Sequence, residues 1–147
     1  MGLILPPRLL TAPVDATVAD TALMVEASML SQGLRIRVGA DPDDLCPVEE
    51  LSIGDSVWDL ATHRLIDLDG MSCMTLDSAS LGDLGFRPMP LTRAGGSGYL
   101  ALSSARILSG QRSNDRSFGP MAFFRFWPET RLVADLEGQP VLIRPGL

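Results

Sequence analysis

The sequence predicts an all-β domain, and three observations predict it. The 147 residues include 14 Gly and 11 Pro, about one residue in six, more than a helical bundle tolerates because both residues weaken helix interiors. Short runs of alternating apolar and polar residues recur along the chain, and turn-forming residues separate nearly all of them. Only one stretch carries a helical period. At 15.8 kDa, with 46% apolar and 20% charged residues, the chain is long enough to bury one core without a disulfide scaffold.

Taken in order, residues 1–24 read as an apolar, proline-containing arm and the start of a short helix, and residues 25–147 as the β domain. Val18, Ala22, Val25 and Met29 recur at spacings of three and four behind Thr17, a capping residue, which predicts an amphipathic helix from Thr17 to Leu30. Leu34, Ile36 and Val38 alternate with Arg35 and Arg37, as on a strand with one buried face. Asp41, Pro42, Asp43 and Asp44 form a turn whose carboxylates solvate it, and they lack the spacing of a calcium loop. Val48 to Leu51 reads as one helical turn, closed at Ile53 to Asp55 before a strand from Ser56 to Leu60.

Further strands are predicted at His63 to Leu68, Met71 to Leu76, Phe86 to Leu91, Tyr99 to Ser103, Met121 to Trp127, Arg131 to Asp135 and Pro140 to Arg144. Asp69 with Gly70, Gly82 to Gly85, Gly95 to Gly98 and Glu137 to Gln139 supply the turns between them. The polar segment from Ser109 to Ser117 reads as a long loop open to proteolysis.

Charge narrows the function classes. Twelve basic and 18 acidic residues leave a net charge of -6 and a pI near 4.6, which disfavours non-specific attraction to nucleic acid or to an anionic membrane. The halves differ: residues 1–86 carry 14 acidic and 4 basic groups, and residues 87–147 carry 4 acidic and 8 basic groups. That asymmetry lets the two halves attract each other or form a bipolar surface. No stretch approaches the ~18 uninterrupted apolar residues of a membrane span, and the first residues lack the pattern of a secretory signal. The default localisation is therefore cytoplasmic.

Residues 47–57 resemble a block found in the Hint superfamily, the autoprocessing domains of hedgehog proteins and inteins, and in its bacterial branch particularly. The family pattern P-V-E-[ED]-L-x-x-G-D-x-V is met by Pro47, Val48, Glu49, Glu50, Leu51, Gly54, Asp55 and Val57. The family's opening, C-F-x-x-G-T-x-I, falls on Met29 to Ile36, and its later block, L-S-P-Q-H-R-V-L, falls on Ala101 to Leu108. The resemblance covers residues 25–144. It implies a Hint-like folded β-complex, two pseudo-symmetric β subdomains wrapped into a horseshoe.

The resemblance also implies a chemistry that this chain departs from. A Hint domain begins when a Cys or Ser attacks the preceding carbonyl, and a His donates a proton to the departing nitrogen. The nucleophile position here is Met29, whose thioether has no ionisable proton, and the His position is Ala105. Ser28, one residue away, is the substitute nucleophile. The sole histidine, His63, falls in a hairpin after the Gly54 and Asp55 turn, where it reads as a surface residue. Gly54 and Asp55 read as fold determinants, the first for its backbone freedom and the second as an acceptor of backbone N–H groups.

Other sites are outweighed by structural roles. Cys46 and Cys73 read as buried or half-buried thiols, and with His63 they are too few for a zinc or iron–sulfur site. Gly95 to Gly98 lacks the Lys and Ser or Thr of a phosphate loop and reads as a flexible hairpin. Arg106, Arg112, Arg116, Arg125 and Arg131 lie among Phe118, Phe123, Phe124, Phe126 and Trp127, a mixture that can bind single-stranded nucleic acid. Alternation in that run instead predicts a strand packed on both faces.

The reading is a degenerate Hint-like module without a cofactor, self-processing lost, with a protein-interaction or structural role and an unidentified protein or a second copy as partner. The apolar arm and the segment from Phe118 to Trp127 are its expected contact surfaces. Two alternatives stand beside it: an autoprocessing domain acting through Ser28, and a β-barrel binding module unrelated to the Hint domain.

Overall fold

A computed structural model describes residues 24–103 and 117–145. These form eleven strands: β1 (Val25–Glu26), β2 (Met29–Ser31), β3 (Arg35–Arg37), β4 (Leu45–Pro47), β5 (Ser56–Asp59), β6 (Arg64–Leu76), β7 (Phe86–Arg93), β8 (Gly96–Ser103), β9 (Met121–Pro128), β10 (Leu132–Leu136) and β11 (Gln139–Ile143). One short α-helix, α1 (Ser78–Asp83), and a single 3-10 turn at Val48–Glu50 complete them. The β class predicted from turn density and alternation is thus the class observed.

Six strands, in the order β5-β6-β9-β2-β8-β7, make a sheet that curls into a half-barrel. A second sheet, β1-β11-β10, lies against its β5 edge, where Leu60 N–H donates to the Val133 carbonyl at 2.9 Å. The β3-β4 ribbon packs beside β10 and β5. At the far edge, β7 carries Pro88 and Pro90 opposite Ala101 and Tyr99. Proline fits an edge strand because its missing N–H can face away from the ladder.

Strand alternation sorts the side chains into two cores. The larger holds Leu30, Leu34, Ile36, Val48, Val57, Leu100, Phe124 and Phe126 with the second sheet's Leu132, Ala134, Leu136 and Val141. The smaller, on the opposite face, holds Met29, Leu76, Leu81, Ala101 and Phe123, with Phe86, Tyr99, Phe118 and Met121 against it. Because successive residues on a strand point to opposite faces, β2 sends Leu30 into one core and Met29 into the other. Helix α1 covers the smaller core with Leu81, and Asp77 caps it by accepting the Ser80 N–H at 2.8 Å.

The structure corrects several expectations. The helix from Thr17 to Leu30 is not what its described end adopts. Val25–Glu26 and Met29–Ser31 are strands of different sheets, and the bend at Ala27 and Ser28 carries the chain between them. Their spacing of four therefore reflects two separate burials, not a helical face. The Asp69 and Gly70 turn is a bulge inside the continuous strand β6, where the register shifts between Leu68 and Gly70. Gly95 belongs to a turn, but Gly96 to Gly98 lie within β8. Helix α1 was not foreseen. Residues 1–23, including most of the arm, and the loop from Ser109 as far as Arg116 lie outside the described residues.

Ion pairs among the described residues cross between the two halves. Arg35 pairs with Glu137 at 3.2 Å and Arg37 with Asp135 at 3.4 Å, so the few arginines of the acidic half meet the few carboxylates of the basic half. Arg144, paired with Glu26 at 2.9 Å, joins the basic half to the acidic one.

Candidate functional site

The block from Pro47 to Val57 is a structural joint. Pro47 N-caps the 3-10 turn, Val48 is fully buried and donates its N–H to the Leu34 carbonyl at 2.9 Å, and Leu51 enters the core. Glu49 accepts the Gly33 N–H at 3.2 Å, whereas Glu50 is exposed. Gly54 has φ +94°, a left-handed conformation that a Cβ would strain. Asp55 accepts the Ser52 N–H at 2.8 Å, and Val57 is fully buried.

Met29, where the resemblance places a nucleophile, is part of the core. Met29 is 5% exposed, sits opposite Ala101 and packs with Phe123, so its thioether fills space. Ala105 lies outside the described residues. Ser28, by contrast, is half-buried on the wall of a cleft of about 480 Å³. Among the described residues the cleft is lined by Glu26, Ala27, Ser28, Arg125, Phe126 and Trp127, and on the β11 side by Ile143, Arg144 and Pro145. Ser28 donates its backbone N–H to the Ala101 carbonyl at 2.8 Å, and its hydroxyl has no hydrogen-bond partner among the described residues. Among the described residues, the ionisable groups of this wall are two guanidiniums and one carboxylate. Neither imidazole nor thiol lines it.

His63 is elsewhere. It lies exposed in the hairpin turn between β5 and β6 with φ +56°, its ring edge-on to Trp58 at 6.5 Å. It shares no contact with Ser28. The hairpin is organised by Asp59, which is 1% exposed and accepts from the Thr62 N–H, the Thr62 hydroxyl and the Val133 N–H.

The cysteines are both free; Cys46 is half-buried as expected, but Cys73 is exposed on β6. Burial pushes the Cys46 thiol up, and the nearby carboxylates of Glu50, Asp55, Glu49 and Asp44 push the same way. Asp41, Asp43 and Asp44 form the expected turn, with the Asp43 N–H donated to the Asp41 carboxylate at 2.9 Å. Among the described residues, no three His, Cys, Asp or Glu side chains gather into a group that could hold a metal ion.

The segment from Phe118 to Trp127 is less open than its composition suggests. Phe123, Phe124 and Phe126 are buried, and Phe118 stacks on Tyr99 at 4.4 Å. These rings are spent on the two cores and cannot stack on bases; Arg125 and Trp127 remain outward. Arg106, Arg112 and Arg116 lie outside the described residues, and Arg131 is exposed. No described helix is long and apolar enough to cross a membrane.

Sequence reasoning found Ser28 but not the residues around it. Glu26, Arg125, Trp127 and Arg144 meet because β1 runs parallel to β11, with Val25 opposite Val141, and because β2 pairs with β9. A two-residue strand leaves no periodic signal of such a pairing. No family model, no curated protein and no solved structure matches the chain significantly.

Proposed function

We propose that this chain is a Hint-like module that no longer processes itself and serves as a protein-interaction or structural unit. The observation that carries the reading is the placement of Met29 in the smaller core, with only Ser28 beside the cleft. A serine hydroxyl needs an adjacent base to become a nucleophile. His63 stands on the β5-β6 hairpin, and Glu26, the one carboxylate among the described lining residues, is ion-paired with Arg144 at 2.9 Å. Among the described residues, the wall thus offers side chains that bind and none arranged to move a proton.

Intact mass spectrometry tests this. Purified chain held at neutral pH for a day, with and without thiol, is expected to keep its mass near 15.8 kDa. A product beginning at Ser28, abolished by Ser28→Ala, would overturn the reading in favour of autoprocessing.

A further inference from the structure

The cleft beside Ser28 has the size of a small-molecule site, with a lining about half polar and half apolar. Its volume, about 480 Å³, lies in the range of ligand pockets, which are mostly apolar with a few polar groups that fix orientation. Ala27, Phe126 and Ile143 are buried and form its floor, while Trp127 and Pro145 form apolar walls. Among the described residues, Glu26, Arg125 and Arg144 bring charge to it, and Glu26 engages Arg144 through Nε at 2.9 Å.

Arg125 is different. It is exposed, its guanidinium lies 6.0 Å from the centre of the Trp127 ring, and it has no ion pair among the described residues. Trp127 braces that guanidinium through the cation–π contact. Beside it, the Ser28 hydroxyl is a second donor without a partner among the described residues. Among the described residues, the cleft therefore offers a guanidinium outside any ion pair, a hydroxyl donor and an apolar floor next to an indole.

We propose that this cleft binds a small monocarboxylate with an apolar or aromatic body, its carboxylate on Arg125 and Ser28 and its body on Phe126 and Trp127. A guanidinium presents paired N–H groups that match a carboxylate, and charge-assisted bonds of this kind are among the stronger ones. One guanidinium outside an ion pair, with the Glu26 carboxylate on the same lining, suits a monoanion better than a polyanion. The inference goes beyond the proposed function and does not depend on the Hint resemblance: binding is read on the intact chain whether or not it cleaves.

The experiment uses the two tryptophans as separate reporters. Trp127 lies in the cleft, and Trp58 lies under Arg37, whose guanidinium is 5.2 Å from its ring. In proton–nitrogen correlation spectra of the whole chain, assigned with Trp58→Phe, 3-phenylpropionate is expected to shift the Trp127 indole resonance saturably and leave Trp58 in place. Its neutral amide is expected to bind at least tenfold more weakly, as is the carboxylate to Arg125→Met; tenfold is about 1.4 kcal/mol. Arg125 is exposed, so Arg125→Met should keep the wild-type unfolding midpoint and its loss should read as lost recognition. Inorganic phosphate is expected to shift Trp127 less than the carboxylate does. Equal affinity for acid and amide, stronger binding of phosphate, movement of Trp58 instead, or no shift with any probe would overturn the proposal.

Discussion

The Asp59 carboxylate accepts the backbone N–H of Val133 at 2.8 Å, across 74 residues of chain and in a buried setting. This is the point where the half-barrel meets the second sheet. The same carboxylate holds the β5-β6 hairpin by accepting from Thr62, so one side chain sets both a turn and a junction between sheets. Asp59→Ala leaves the Val133 N–H buried without a partner. The expected loss is about 3 kcal/mol in urea unfolding, with Asp59→Asn losing less because its amide oxygen still accepts. Equal stability of wild type and Asp59→Ala would show that another group satisfies Val133.

Gly98 makes a second, steric prediction. A Cβ there would stand 2.4 Å from Ser31 Oγ and 2.8 Å from the Gln32 carbonyl oxygen, on the strand that pairs with β8. Gly98→Ala should destabilise by about 2 kcal/mol through forced movement of that backbone. At Gly54 a Cβ meets nothing within 4 Å, but φ is +94°. Gly54→Ala should therefore cost about 1 kcal/mol, from conformation alone. Thermal or chemical unfolding of the pair checks the order.

The two thiols should react in sequence. Cys73 is exposed, whereas Cys46 is half-buried with its thiol pushed up by burial and by four surrounding carboxylates. Since the thiolate is the reactive form, iodoacetamide at pH 8 should label Cys73 first. In a Cys73→Ser chain, the midpoint of the pH profile for Cys46 alkylation should lie above that of a free thiol. A profile at or below the free-thiol value would contradict the placement of Cys46.

Asp77 gives a pH dependence. Hydrogen bonds from the Ser80 backbone, then from the Ser80 side chain, hold its carboxyl below the ordinary range. A group depressed in the folded state contributes stability above its unfolded value, near pH 4, and that contribution fades as the pH falls through the folded value. The difference in unfolding midpoint between wild type and Asp77→Asn should accordingly be constant from pH 7 to about pH 5 and narrow below pH 4. A constant gap down to pH 2 would remove the charged cap from the account.

Much of the fold was legible because local signals agreed with the tertiary outcome. Leu34 and Ile36 alternate and are buried, and Pro47 to Glu50 turns where its sequence says it should. The failures come from contacts distant in sequence. Gly70 looked like a turn residue, yet it is a glycine because the Trp127 ring lies where a Cβ would point, 3.0 Å away. Val25 and Met29 looked like one helical face because each is drawn to an apolar neighbour on a different sheet. The cleft was illegible for the same reason: Ser28 was visible as a residue, but Arg125 and Arg144 reach it only through strand pairing.

The prolines of β7 settle how a partner can and cannot approach that edge. Ser28 N–H is donated to the Ala101 carbonyl, and Tyr99 N–H to the Ser31 hydroxyl, so both β8 residues opposite Pro88 and Pro90 turn their polar backbone towards β2. The ring nitrogens of both prolines consequently face outward, and a row that would otherwise offer N–H donors offers only carbonyl oxygens there. An incoming extended chain would find half its ladder missing. Among the described residues, this margin of the half-barrel is a poor template for strand addition at Pro88 and Pro90, which leaves side chains as the better means of recognition there.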